Sequence, residues 1–154
     1  MEEGVSGFNQ VTKPWSVPER ERIEGNVMPQ DTEANKHNAI AFYRTAYLGD
    51  PATAVEKYVG DVYIQHNPDV ADGPQGFIDY FTEMARDYPD KSIEFVRAVA
   101  EGDLVALHTH QVWPGDEHYV TMDFLRFDES GKIVEHWDAI QRVPAETKSG
   151  NPMY

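Results

Sequence analysis

The chain changes period at Ser92, and that change limits what it can fold into. From there on, apolar and polar residues alternate in four runs: Ser92–Ala100, Leu104–Trp113, His118–Phe127 and Ile133–Gln141. Each gap carries a turn signal, namely Glu101-Gly102-Asp103, Pro114-Gly115-Asp116-Glu117 and Asp128-Glu129-Ser130-Gly131. Four period-two runs with short turns predict an antiparallel meander. Upstream the period is helical. Asp31 or Thr32 caps a first helix whose inward side carries Ile40, Tyr43 and Tyr47, and Gly49 ends it. Asp50-Pro51 opens a second helix, with Val55, Tyr58 and Val59 inward. Val62 to His66 reads as a short strand stopped by Asn67-Pro68. Gly73-Pro74 then starts a third helix carrying Phe77, Phe81 and Met84 at helical spacing, ended by Pro89. Helices followed by a meander define an α+β chain whose sheet curls around its helices.

The chain has 154 residues, which fits one domain. Residues 1–30 hold no sustained period and read as a flexible arm, with Trp15 as a candidate anchor; residues 31–143 form the domain, and 144–154 a polar tail. The 27 acidic residues outweigh 13 basic ones, for a formal charge of −14. Such a field repels phosphate backbones and anionic lipid heads, so nucleic acid and membrane surfaces are poor partners and a small organic molecule is the expected one. There is no cysteine, hence no disulfide, no thiolate metal site and no thiol nucleophile. The acidic start MEEGVSGFNQ lacks the apolar core of a signal peptide, and a cytoplasmic location is expected.

The chemistry concentrates in the last run. In a strand, Val134, His136, Asp138 and Ile140 share a face, so an imidazole and a carboxylate stand among aliphatic side chains. A four-residue loop at Pro114–Glu117, or a two-residue one at its centre, sets His108 opposite Asp123 and His110 opposite Thr121. The same logic across the next turn sets Asp123 opposite His136 and Thr121 opposite Asp138. One face then collects His108, His110, Asp123, His136 and Asp138; a three-residue loop in either hairpin would flip the pairing. A carboxylate in a poorly solvated pocket has its pKa raised, as suits a general base, and imidazoles can donate to a developing oxyanion or carry the proton. Plainer readings stand beside these. Asp138 fits a structural carboxylate tied to a loop amide, and His108 and His110 fit hydrogen-bonded core histidines. Trp113, Met122, Phe124, Glu135 and Trp137 fall on the other face, which a second copy of the chain would cover. His66 either braces a turn or lines a cavity mouth.

The run Tyr63-Ile64-Gln65-His66-Asn67-Pro68, followed by Asp72-Gly73, Phe124-Leu125-Arg126-Phe127 and Gly131-Lys132-Ile133-Val134-Glu135-His136-Trp137-Asp138, resembles the SnoaL-like polyketide cyclases. The resemblance runs from about Thr32 to the end of the chain. It implies the NTF2-like cone, a curved antiparallel sheet wrapped over three helices around a deep pocket, and a homodimer through the outer sheet face. It also implies an acid/base aspartate from the last strands, and Asp138 is the matching position. A pocket histidine of those cyclases falls near Asp123, which is a departure.

The expected activity is therefore cofactor-independent acid/base chemistry on a small apolar carbonyl or cyclic substrate, of aldol, cyclase or isomerase type. Asp138 is the base; His136 or His108 orients it or takes up the proton; Asp123 is a second acid or positions water. His66, His110, Tyr43, Phe77 and Phe81 contact the substrate, and neither a metal nor a cofactor is expected. Limonene-type epoxide hydrolases resemble this layout too, but they need an arginine two residues before Asp123, where Thr121 stands, leaving Arg97 as the one rescue. Gly102 with His108-Thr109-His110 resembles half of a cupin metal motif, yet the glutamate that should follow comes late, at Glu117. A non-catalytic binding module is the remaining reading.

Overall fold

A computed structural model describes residues 31–115 and 117–154. The N-terminal arm expected over 1–30 lies outside the described residues. Three helices come first, α1 (Thr32–Tyr47), α2 (Pro51–Tyr58) and α3 (Gly73–Asp87), with β1 (Val59–Gln65) between the second and third. Strands β2 (Ser92–Glu101), β3 (Leu104–Val112), β4 (His118–Phe127) and β5 (Ile133–Arg142) follow. Among these residues no helix is long and apolar enough to cross a membrane.

Local chemistry sets the boundaries. The Asp31 carboxylate accepts the Ala34 N–H at 3.0 Å, and Asp50 accepts the Thr53 N–H at 3.0 Å, so each caps its helix. β1 begins three residues earlier than the sequence pattern suggests, because Val59 is both the C-cap of α2 and the first residue to pair with β5.

The sheet order is β1-β5-β4-β3-β2. β2 to β5 form the antiparallel meander, while β1 joins β5 in parallel at the far edge. The curved sheet stays open, and its concave side takes the helices. Phe42, Phe77, Leu107, Leu125 and Ile133 are fully buried between the layers, with Phe42 stacked on Phe77 at 4.6 Å and Phe77 against Phe81 at 4.3 Å. This is the α+β architecture expected from the sequence.

Two register details control the site. Val112 pairs with His118, so the β3–β4 loop runs from Trp113 to Glu117, closed by the Trp113 N–H on the Glu117 carbonyl at 3.1 Å. That odd-numbered loop replaces the even one assumed above. His108 therefore pairs with Met122, and Leu107 with Asp123. Between β4 and β5 a five-residue turn, with Phe127 opposite Ile133, and an irregularity at Arg126/Phe127 each move the pairing by one, two in all, which preserves faces and sets Asp123 directly opposite Asp138.

Candidate active site

The concave face of β3–β5, the strand end of β1 and helices α1 and α3 enclose a narrow cavity. Its polar wall comprises Gln65, Asn67, Gln111, Thr121, Asp123, His136 and Asp138; its apolar wall is built from Phe77, Phe81, Tyr80 and Trp113, among others. The free volume is about 30 Å³, room for about one water molecule. At the rim Ile140 is exposed and Val70 and Tyr80 are half-buried.

The polar wall is one continuous hydrogen-bonded system. The Tyr43 hydroxyl donates to Asp123 Oδ1 at 2.7 Å and lies 2.7 Å from His136 Nε2. His136 Nε2 is itself 3.3 Å from Asp123 Oδ1. On the other side of the imidazole, Nδ1 lies 2.9 Å from Gln65 Oε1. That oxygen also accepts the backbone N–H groups of His66 and Asn67, both at 3.0 Å, so the amide cannot turn around. His136 Nδ1 is therefore the donor to Gln65, and Nε2 faces Tyr43 and Asp123.

Behind Asp123 the chain of donors continues into the core. Thr121 donates its hydroxyl to Asp123 Oδ2 and accepts from Thr109 at 2.7 Å. Gln111 Nε2 donates to Thr109 at 3.2 Å, and its Oε1 accepts both the Tyr47 hydroxyl and Trp113 Nε1, the latter at 3.2 Å. Asp123, 3% exposed, is thus a buried carboxylate that accepts the Tyr43 and Thr121 hydroxyls.

Asp138 differs. It is half-buried and borders the cavity, and Asn67 Nδ2 reaches its two oxygens at 2.9 and 2.7 Å. Burial pushes its pKa above the ordinary carboxylate value; the Asn67 hydrogen bonds and His136 oppose this, and the charge of Asp123 adds to it. Burial, with Asp123 nearby, also holds the Tyr43 phenol well above its usual range, and burial likewise raises Tyr80, so both stay protonated donors at neutral pH. Ligating atoms of Asp123, His136 and Asp138 lie within 4.8 Å of one another. Each already has hydrogen-bond partners, so a metal ion there would displace Tyr43, Asn67 or both.

Of the residues expected at the site, Asp123, His136, Asp138, Tyr43, Phe77 and Phe81 meet at this cavity. His108, His110 and His66 do not. The odd loop turns His108 to the convex face, where its Nδ1 accepts from Arg97 at 2.9 Å. His110 on the same face stacks on Tyr154 of the tail at 3.6 Å and contacts His118 at 3.2 Å. His66 stacks on Trp137 at 4.9 Å and pairs with Glu135 at 3.0 Å, in a convex-side cluster where Arg126 bridges Glu135 and Asp103. Arg97 is occupied with His108, and no arginine lines the cavity among the described residues, so the two-aspartate, one-arginine arrangement is absent there. Trp113, expected on the convex face, lines the cavity instead, because the same one-residue shift puts it on the side of Thr109 and Gln111.

Sequence reasoning passed over Gln65, Asn67, Tyr80 and Gln111. For two of them the signal was available: in Tyr63-Ile64-Gln65-His66-Asn67, alternation aligns Gln65 and Asn67 with the buried Tyr63 and turns His66 away.

An open curved sheet holding three helices, with a polar wall on its last strands, defines an α+β cone-like domain class. The chain belongs to the SnoaL-like domain family, whose model matches residues 39–136. No curated protein matches it. Among solved structures it is similar to TsrD from Streptomyces laurentii, with a TM-score of 0.60 at 20% identity, covering 70% of this chain and 89% of that one. AclR from Streptomyces galilaeus, described as "a putative hydroxylase", matches with a TM-score of 0.60 at 20% identity over 71% and 90%. A "putative polyketide cyclase" from Bacillus cereus matches with a TM-score of 0.63 at 19% identity over 70% and 74%. These likenesses establish the shared fold.

Proposed function

We propose that this chain is an acid/base enzyme that moves a proton next to the carbonyl of a small, largely apolar substrate, with Asp138 as the base. The observation that carries the reading is the contrast between two facing carboxylates. Asp123 is enclosed by donors and holds position; Asp138 borders the cavity, is held by a single side-chain amide, and has its pKa raised by burial. In this reading Asn67 aims the Asp138 carboxylate, Tyr80 donates to the developing oxyanion, and His136 stabilises the carboxylate by its proximity. Gln65 and Asp123 hold the imidazole ring in place from its two nitrogens. The description of one similar structure as a "putative polyketide cyclase" fits this reading.

Deuterium incorporation next to the carbonyl of small cyclic ketones, followed by NMR in D2O, tests this without a known substrate. The rate should rise with pH through a carboxylate titration above the ordinary value, and Asp138→Asn should lower it by about 10²–10⁴-fold, the usual share of a general base. Equal exchange in wild type and Asp138→Asn, or none above buffer, would defeat the reading.

A further inference from the structure

The cavity's charges and rings favour one sign of ligand. Its lining offers two carboxylates, Asp123 and Asp138, which stand directly opposite each other on β4 and β5. No lysine or arginine lines it among the described residues; Lys91 stacks over the Tyr47 ring at 5.5 Å but is not part of the lining. The same lining holds the rings of Phe81, Tyr80 and Trp113. A ring that turns its negative face to a ligand attracts a cation and repels an anion.

The hydrogen-bond inventory points the same way. Stabilising a full negative charge takes free donors, and those of the polar wall are mostly spent on the protein's own acceptors. Asn67 Nδ2 is on Asp138, Gln65 Nε2 on Tyr63, Gln111 Nε2 on Thr109, and the Tyr43 and Thr121 hydroxyls on Asp123. A buried anion would meet two carboxylates with few donors to offset them. A cation meets two carboxylates and several aromatic rings, with His136 the one imidazole of the lining.

From this geometry we infer that the physiological ligand carries a positively charged nitrogen, a protonated amine or an iminium, seated beside Asp138 among the rings of the lining, with the rim side chains Val70, Tyr80 and Ile140 turned to admit it. The inference deepens the catalytic reading and rests on the same cavity: a cationic nitrogen next to the reacting carbon acidifies its C–H bonds and lowers the demand for an oxyanion site. An isopropyl group bearing an ammonium, a hydroxyl or a carboxylate gives three probes of matched shape and different charge.

NMR titration of the folded protein, read at the indole N–H signals, tests it. Trp113 lines the cavity while Trp137 lies on the convex side, so the second reports non-specific attraction to the acidic surface. Isopropylammonium should shift Trp113 and leave Trp137 unmoved, binding about 10-fold tighter than isopropanol, as expected of one partly desolvated cation–aromatic contact of about 1.4 kcal/mol. Isobutyrate should not bind at the cavity. The preference should persist at 0.5 M salt, which screens the surface field to roughly a few ångströms, and should fall in Asp138→Asn while isopropanol affinity holds. Equal affinity of the three probes, preference for isobutyrate, or loss of the preference in salt would overturn the inference. Cation selectivity in a protein that exchanges no ketone deuterium would uphold it and defeat the catalytic reading alone.

Discussion

Removing a single oxygen, in Tyr43→Phe, tests whether the buried Tyr43–Asp123–His136 group holds the fold as well as the site. The hydroxyl touches Asp123 Oδ1 and His136 Nε2, each at 2.7 Å, and Tyr43 is 4% exposed. A hydrogen bond to a charged group contributes about 1.5–3 kcal/mol, and a buried acceptor left without its donor adds a cost of about 1–3 kcal/mol. The adjoining cavity is large enough to seat a water that recovers part of this, so the expected loss is about 2–3 kcal/mol. For a domain of this size that corresponds to a fall in Tm of roughly 6–15 °C. Urea unfolding monitored by fluorescence and circular dichroism gives the value directly, with an unchanged slope confirming that only stability moved. A cycle with Asp123→Asn isolates the pair: the coupling should be about 1–2 kcal/mol, because the donor loses most of its worth once the carboxylate is gone. A loss below about 0.5 kcal/mol in Tyr43→Phe, or additive losses in the cycle, would refute the assignment.

Three further outcomes follow from particular positions. A methyl group at Gly76 in α3 would stand 1.9 Å from the Ala71 carbonyl oxygen, a backbone atom that cannot swing aside, so Gly76→Ala should cost about 3 kcal/mol or more, read as a shift in denaturation midpoint. Asp138 has a raised pKa in the fold, so its contribution to stability is present below the unfolded-state pKa and lost as pH rises through the folded value; Asp138→Asn should therefore raise Tm at neutral pH, with the gain fading in acid, and a lower Tm at pH 7.5 would contradict this. Met122 (49% exposed) and Phe124 (46%) lie on the convex face beside Val99, an apolar patch suited to a second copy. Light scattering should give twice the chain mass at micromolar concentration, and Phe124→Glu should halve it; a monomeric wild type removes the dimer.

Periodicity carried most of the fold. The alternation from Ser92 onward and the Asp31 and Asp50 caps are local signals, and local signals are what single residues report. The site was legible only as far as its register. A shift of two between β4 and β5 kept Asp123, His136 and Asp138 on one face, so that group survived an imperfect alignment. A shift of one between β3 and β4 carried His108 and His110 through the sheet, because side-chain period is two and loop parity depends on the backbone at Gly115 rather than on any composition signal. The parallel docking of β1 on β5 had no local signature, so alternation gave the face of Gln65 and Asn67 but not their partners on β5.

That docking has a consequence for how the cavity comes into being. The bonds Gln65–His136 and Asn67–Asp138 each join residues 71 positions apart, whereas the hairpins beside them close over short turns. Closing a loop costs more entropy the longer it is, by about 0.6 kcal/mol for each doubling, and long-range pairings are slow to form. The meander and the helices have mostly local partners; the polar wall has distant ones. Asp138 therefore acquires its aiming amide only when the far edge of the sheet is zipped shut. A chain with β1 undocked keeps its core strands but presents a loosened carboxylate and a free imidazole tautomer. Competence at this site thus doubles as a record that the last long loop has closed.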